Sequence, residues 1–164
     1  YGSDKQKVSE TVKKVKQSCR LAVIAKLSPN VADFAGVAKA AEEAGADAVT
    51  VANTYIGMAV DIKSRKPKVS NITAGYSGPG IKPLTLRYVW MISKELRIPV
   101  IASGGIMNAD DALEFIISGA AAFQIGTASF IDPGISAGIP AGIERYLKDN
   151  GFADLSQLRG SLIC

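Results

Sequence analysis

Residues 98–106 read IPVIASGGI, an apolar run with β-branched residues that ends in two glycines. AAFQIGT (121–127) has the same build, and LAVIAKL (21–27) and DAVTVAN (47–53) are apolar runs of similar length. Runs this short and this apolar are expected of strands buried on both faces, as in a parallel sheet. Helical patterns lie between them. VADFAGVAKAAEEAG (31–45) is alanine-rich with a glycine stop, and PLTLRYVWMISKELR (83–97) opens on Pro and closes on Arg. NADDALEFIISG (108–119) has Asn108 as N-cap, Asp110 and Asp111 in its first turn and Gly119 as its stop. DKQKVSETVKKVKQS (4–18) and IPAGIERYLKDNG (139–151) also read as helices. The order is a helix and then four βα units, which specifies a mostly parallel sheet with helices outside it, because parallel strands need crossover connections.

Four βα units are half of a TIM-type (βα)8 barrel. An open doubly wound sheet is the rival α/β architecture, weakened here because no GxGxxG follows the first strand. The interval between the second and third strands holds an excursion, TYIGMAVDIKSRKPKVSNITAGYSGPG (54–80), which is polar, glycine-rich and full of turn residues. It reads as a long loop, and loops of that length are often functional.

The 164 residues, 48% hydrophobic and 21% charged, suit one globular domain or a large piece of one. No apolar run approaches the roughly 20 residues that span a bilayer, and YGSDKQKVSE (1–10) lacks the build of a secretory signal, so the expectation is a cytoplasmic protein without a membrane span. Cys19 and Cys164, with no His in the chain, outline neither a disulfide framework nor a metal site. The net charge of +4 comes from scattered Lys and Arg without interleaved aromatics, which argues against nucleic-acid binding. The chain opens on Tyr1, not Met, in the run-up to a helix, and a preceding segment is expected.

In an α/β barrel the active site lies at the C-terminal ends of the strands, with phosphate commonly bound after the last two. Gly104 and Gly105 follow the third apparent strand, and Gly126 and Thr127 the fourth. Glycine there lets backbone N–H groups approach an anion, and a following helix N-terminus adds a positive dipole. Either pair alone could simply make a tight turn; the repetition at successive strand ends favours a phosphate site. Lys26, at the end of LAVIAKL, could present its cation to a ligand or reach to solvent. Asn53 and Thr54 end the next strand and offer amide and hydroxyl groups to a polar planar ligand, or serve local turn chemistry. Ser77, Gly78 and Pro79 close the excursion, another place for close backbone approach. No His, and no Cys or carboxylate at a strand end, supplies a general base.

Taken in order, AKLSPN (25–30), VANTYIGMAVDIKSRKP (51–67), GYSGPGIKP (75–83), IASGGI (101–106) and IGTA (125–128) resemble the dihydroorotate dehydrogenases, more narrowly the class 1B, NAD-dependent form. The resemblance spans essentially the whole chain. It implies that residues 1–164 are the C-terminal half of a single FMN-binding (βα)8 barrel domain of a cytoplasmic flavoprotein oxidoreductase of pyrimidine (UMP) biosynthesis. Carried over by position, it makes Lys26 the lysine beside the flavin pyrimidine ring, where its charge would stabilise the reduced anion. Asn53 and Thr54 would bind the dihydroorotate or orotate ring, with Ala52 against FMN. Gly78 would contact FMN, and Gly104, Gly105, Gly126 and Thr127 would hold its ribityl phosphate. The family's base is a cysteine that would fall upstream of Tyr1, so neither Cys19 nor Cys164 is expected to be catalytic. Electrons would leave through a partner subunit carrying FAD and an iron–sulfur cluster, and the catalytic chain would form a homodimer. A dihydropyrimidine dehydrogenase-like flavoenzyme, a flavin-free phosphate-binding barrel and a non-catalytic half-barrel module are the competing readings.

Overall fold

The computed structural model describes residues 2–163. Four parallel strands form one sheet: β1 (Ile24–Lys26), β2 (Ala48–Val51), β7 (Val100–Ser103) and β8 (Ala122–Gln124), side by side in that order. Between β2 and β7 the excursion folds into β3 (Tyr55–Met58), β4 (Val60–Asp61), β5 (Lys66–Pro67) and β6 (Thr73–Tyr76). The helices are α1 (Lys5–Ser18), α2 (Phe34–Glu43), α3 (Lys82–Ser93), α4 (Ala109–Ile117), α5 (Thr127–Ile131) and α6 (Ile135–Asp149), with short 3-10 turns at Pro79–Ile81 and Leu155–Gln157.

The strand order never reverses. Because crossovers between parallel strands share one hand, an unreversed order puts the helices on a single face, whereas a doubly wound sheet needs a reversal. The chain is thus a partial α/β barrel, and the doubly wound alternative is excluded. The register shows the two faces directly. Ala25, Val49, Val51, Val100, Ala102 and Phe123 point toward the helices and join the core with Phe34, Val89, Phe115 and Ile116. On the other face Lys26, Thr50, Ile101 and Ala122 lie in one row across the sheet, and Ile24 and Gln124 are exposed. Alternation of side chains in the pleat assigns these two sets.

Local signals set several helix ends, of which the Asn108 cap and the glycine stops at Gly45 and Gly119 were read from the sequence. Asp4, Asp33 and Asn108 cap α1, α2 and α4 by accepting the N–H groups of Lys7, Gly36 and Asp111. Gly45 and Gly119 follow α2 and α4 with φ of +95° and +114°, the left-handed region that stops a helix.

Four expectations need correction. The first strand is shorter than residues 21–27: Leu21 is exposed, and only Ile24–Lys26 pair with β2. α3 ends at Ser93, not Arg97, because the chain must turn toward β7, and the N–H groups of Arg97 and Ile98 bond the Glu42 carboxylate. α6 begins at Ile135, ahead of Pro140, since Ile135, Ile139 and Ile143 make one apolar stripe against the core. The excursion is not a loop. β3 pairs antiparallel with β6, and β4 with β5 around a turn in which Asp61 accepts from the backbone and hydroxyl of Ser64. It turns Ile56, Met58 and Tyr76 outward, and Gly57 and Gly75 within it hide the alternation that marks a strand.

Among the described residues no helix is long and apolar enough to cross a membrane.

Candidate active site

At the C-terminal ends of the four parallel strands, where the excursion rejoins the body, lies a cleft of about 260 Å³. Lys26, Ala52, Asn53, Thr54, Gly78, Gly104, Gly105, Gly126 and Thr127 all line it. These residues lie as far apart in the chain as 26 and 127, and tertiary structure brings every one of them to a single surface.

Lys26 ends β1 with an exposed side chain on the uncovered sheet face. Among the described residues it carries the only charge lining the cleft, and no carboxylate lines it. A lone cation in a concave, partly apolar wall favours an anionic or electron-rich ligand.

Beyond β2 the chain passes through a cis Val51–Ala52 peptide into buried Ala52 and then Asn53. The Asn53 N–H donates to the carbonyl of Leu27, which ties this loop to the end of β1. Thr54 is held from two sides. Its carbonyl accepts the side-chain amide of Asn30 at 3.0 Å, while its side chain lies where a Cβ at Gly75 would be, so glycine is required there. Asn30 also accepts the Ile56 N–H at 2.9 Å, bracing the start of β3. Its role is invisible to the periodicity of the chain; the only signal was its place at the end of the SPN stretch after β1.

The excursion closes over the cleft at Gly78, which is buried with φ of +96°. Here the Thr127 hydroxyl donates to Ser77 Oγ at 2.8 Å, joining the end of the excursion to the end of the last strand. Ser103 and Gln124, the last residues of β7 and β8, also face the cleft, and neither stood out in the sequence. The Tyr55 hydroxyl lies 3.4 Å from that of fully buried Thr85, and burial pushes the Tyr55 phenol up from its ordinary value.

The two glycine pairs differ in kind. Gly104 and Gly105 have φ of +150° and +82°, and an added Cβ would strike Thr85 Oγ1 at 2.7 Å or the Lys82 backbone N at 2.8 Å. They are required by packing and conformation. Gly126 has no atom within 4 Å of where its Cβ would be, so its missing side chain leaves space in the cleft itself. That space, together with the N–H groups of Thr127 and Ala128 that no preceding turn can satisfy, suits a phosphate. The α4 terminus does not add what was expected of it: Asn108 already takes the Asp111 N–H, and Asp110 and Asp111 place negative charge in its first turn. At β7 it is the glycine loop, Gly104 to Met107, and not α4 that lines the cleft.

No His, Cys or carboxylate lines the cleft among the described residues. Cys19 caps the C-terminus of α1, at the start of the chain's run into β1 and away from the cleft, and Cys164 lies outside the described residues.

Comparison with known proteins agrees with this arrangement. The dihydroorotate dehydrogenase family profile matches residues 2–147. The chain is 50% identical over 161 residues to a protein of Desulforamulus reducens named dihydroorotate dehydrogenase B (NAD(+)), catalytic subunit, covering 98% of this chain and 53% of that protein. Proteins of the same name from Pelobacter propionicus and Geotalea daltonii are each 49% identical, covering 100% and 99% of this chain and 54% and 53% of theirs. The chain thus spans about half the length of the curated relatives it matches. With strand order, cleft and profile in agreement along most of its length, the chain belongs to the dihydroorotate dehydrogenase family.

Proposed function

We propose that residues 1–164 form the C-terminal half of an FMN-binding (βα)8 barrel, in a protein that oxidises dihydroorotate to orotate. The observation that carries this reading is the convergence of nine residues from four strand ends and the excursion on one cleft whose only charge, among the described residues, is Lys26. The residues present suit the flavin: a glycine with open space before it, backbone donors at two adjacent strand ends, and a cation on the sheet face.

Gly104, Gly105, Gly126 and Thr127 would hold the ribityl phosphate through their backbone, and Gly78 and Ala52 would contact the ring system. Lys26 would present its ammonium to the flavin, where it would favour gain of negative charge. Asn53 and Thr54 orient the substrate by its polar groups, Thr54 being fixed by Asn30 and Gly75. When bound, FMN supplies the acceptor for the hydride from C6 of dihydroorotate. The C5 proton would pass to a base beyond these residues, a cysteine upstream of Tyr1, since no His, Cys or carboxylate lines this cleft among the described residues. The two electrons that the hydride carries would then leave through a subunit bearing FAD and an iron–sulfur cluster, a partner consistent with the "NAD(+)" and "catalytic subunit" in the relatives' names. A cytoplasmic homodimer is the proposed working form of the chain.

The test is an anaerobic flavin spectrum of the full-length protein on addition of dihydroorotate. Bleaching of the flavin band is expected. Bound flavin that stays oxidised would move the substrate to other pyrimidines, and failure to bind flavin would return the cleft to a phosphate-binding barrel or a non-catalytic module.

A further inference from the structure

The loop from Ser103 to Asn108, between β7 and α4, has to hold its glycine N–H groups toward the cleft. Its own hydrogen bonds leave it few supports, and a group of side chains behind it supplies them. Asp111, in the first turn of α4 and only 8% exposed, accepts the Met107 N–H on Oδ2 at 2.8 Å. Its other oxygen accepts Lys82 Nζ at 2.6 Å. Lys82 is the first residue of α3, and its ammonium also donates to the more exposed Glu114 at 2.7 Å. The Lys82 backbone is at the same time the surface on which Gly105 rests, with no room for a Cβ between them.

The loop is therefore gripped twice by one residue. The Lys82 main chain supports Gly105 from below, and the Lys82 side chain holds the carboxylate that fixes Met107. Lys82 and Asp111 do not line the cleft in the way Lys26 does: Lys82 is absent from the lining, and Asp111 lies behind Met107. Neither is placed to touch a ligand there. Asp111 even brings negative charge to this end of the cleft, which would be unfavourable for an anion unless neutralised, and the Lys82 ammonium does that at close range. The hydrogen bonds to Asp111 and Glu114 hold the Lys82 ammonium above its ordinary pKa, so Lys82 stays charged across the physiological range.

From this the geometry points to Lys82 and Asp111 as positioning residues that set the glycine loop for the phosphate of the bound flavin, and so determine the preference for FMN over the dephosphorylated flavin. The inference rests on the flavin reading above. It separates from it because the phosphate and the ring system contact different parts of the cleft.

The experiment measures FMN and riboflavin dissociation constants by flavin fluorescence on the full-length protein, for wild type, Asp111→Asn, Lys82→Met and, as a control on the exposed partner, Glu114→Gln. Asp111→Asn is expected to weaken FMN about tenfold, the loss that accompanies one hydrogen bond to a charged group, with riboflavin within about twofold. Lys82→Met should act in the same direction, and Glu114→Gln should leave both ligands near wild type. Amide exchange at Met107 should quicken in apo Asp111→Asn, a readout independent of ligand. Equal weakening of FMN and riboflavin, or no weakening of either, overturns the positioning role while leaving the flavin reading intact. A wild-type protein that binds neither flavin overturns both. Should Asp111→Asn fail to fold, Lys82→Met decides: an unchanged ratio of FMN to riboflavin affinity rejects the inference.

Discussion

Glycine at a strand end can serve either the chain or its ligand, and the two uses predict opposite mutational signatures. Gly105 is locked by its φ of +82° and by the Lys82 backbone, whereas Gly126 faces open space. Gly105→Ala is therefore expected to destabilise the full-length protein by about 1–3 kcal/mol, as strained backbone substitutions do. Gly126→Ala should leave the melting temperature nearly unchanged yet weaken phosphate-bearing ligands, because its methyl group would enter the cleft. Paired thermal melts and FMN titrations distinguish the two; a Gly126→Ala protein that melts early with intact binding would contradict this assignment. Lys26 belongs to the same scale. It is exposed, so Lys26→Ala should cost little stability while reducing ligand affinity, and a fall in melting temperature without a fall in affinity would mean that its role is structural.

At the scale of elements, helices are held to one another by ion pairs at their surfaces and by apolar contact beneath. α1 is joined to the start of α2 by Lys5–Asp33 and to the segment before β2 by Lys16–Asp47 at 2.8 Å. Asp47 also accepts the Val23 N–H at 2.6 Å, so one carboxylate ties α1, the approach to β1 and the approach to β2. Lysine hydrogen bonds, and then backbone N–H groups, hold the Asp33 and Asp47 carboxyls below the usual range. A lowered folded-state pKa gives stabilisation that is present above the unfolded value, about pH 4, and is lost as pH falls through the folded value. Hydrogen exchange of α1 amides should thus accelerate below about pH 4 before the central sheet does, and uniform acceleration would show that α1 is not separately anchored. Lys82 carries the opposite sign: its raised pKa gives stability present below about pH 10.4 and lost above it. Beneath this polar layer the core decides. Phe115 of α4 is fully buried, and Phe115→Ala should cost about 3–5 kcal/mol by chemical denaturation of the full-length protein, against well under 1 kcal/mol for an exposed change such as Lys63→Ala.

For the whole molecule, the feature that matters most is the sheet face that no helix covers. β1 and β8 are both edges, and Leu21, Ile24 and Phe130 are exposed at 75%, 49% and 91%. The outward side of the excursion adds Ile56, Met58 and Ile62. Unpaired strand edges next to apolar surface promote association. Residues 1–164 expressed by themselves are expected to self-associate, and to bind FMN more weakly than the full-length protein. A monodisperse monomer by light scattering would count against the first expectation, and equal flavin affinity against the second.

Much of this architecture could be read along the chain. Short β-branched runs, the Asn108 cap and glycine stops are local features, decided by backbone sterics and by the hydrogen bonds of a few consecutive residues, so the βα alternation and the glycines at strand ends were legible without coordinates. So, through their motifs, were nine of the residues that line the cleft, though Ser103 and Gln124 were not. What the sequence could not determine is nonlocal. The excursion becomes paired strands because Tyr55 finds Tyr76 and Val60 finds Pro67 across intervening turns, and Gly57 and Gly75 remove the periodicity that would announce it. Asn30 matters through its reach to Thr54, and Lys82 and Asp111 matter through a contact between two different helices. The sequence by itself determined the βα order and the residue types at the strand ends. Only the tertiary structure decided which of them share a cleft and what holds the loops that line it, because burial and hydrogen bonding between distant segments exist only once the chain has folded.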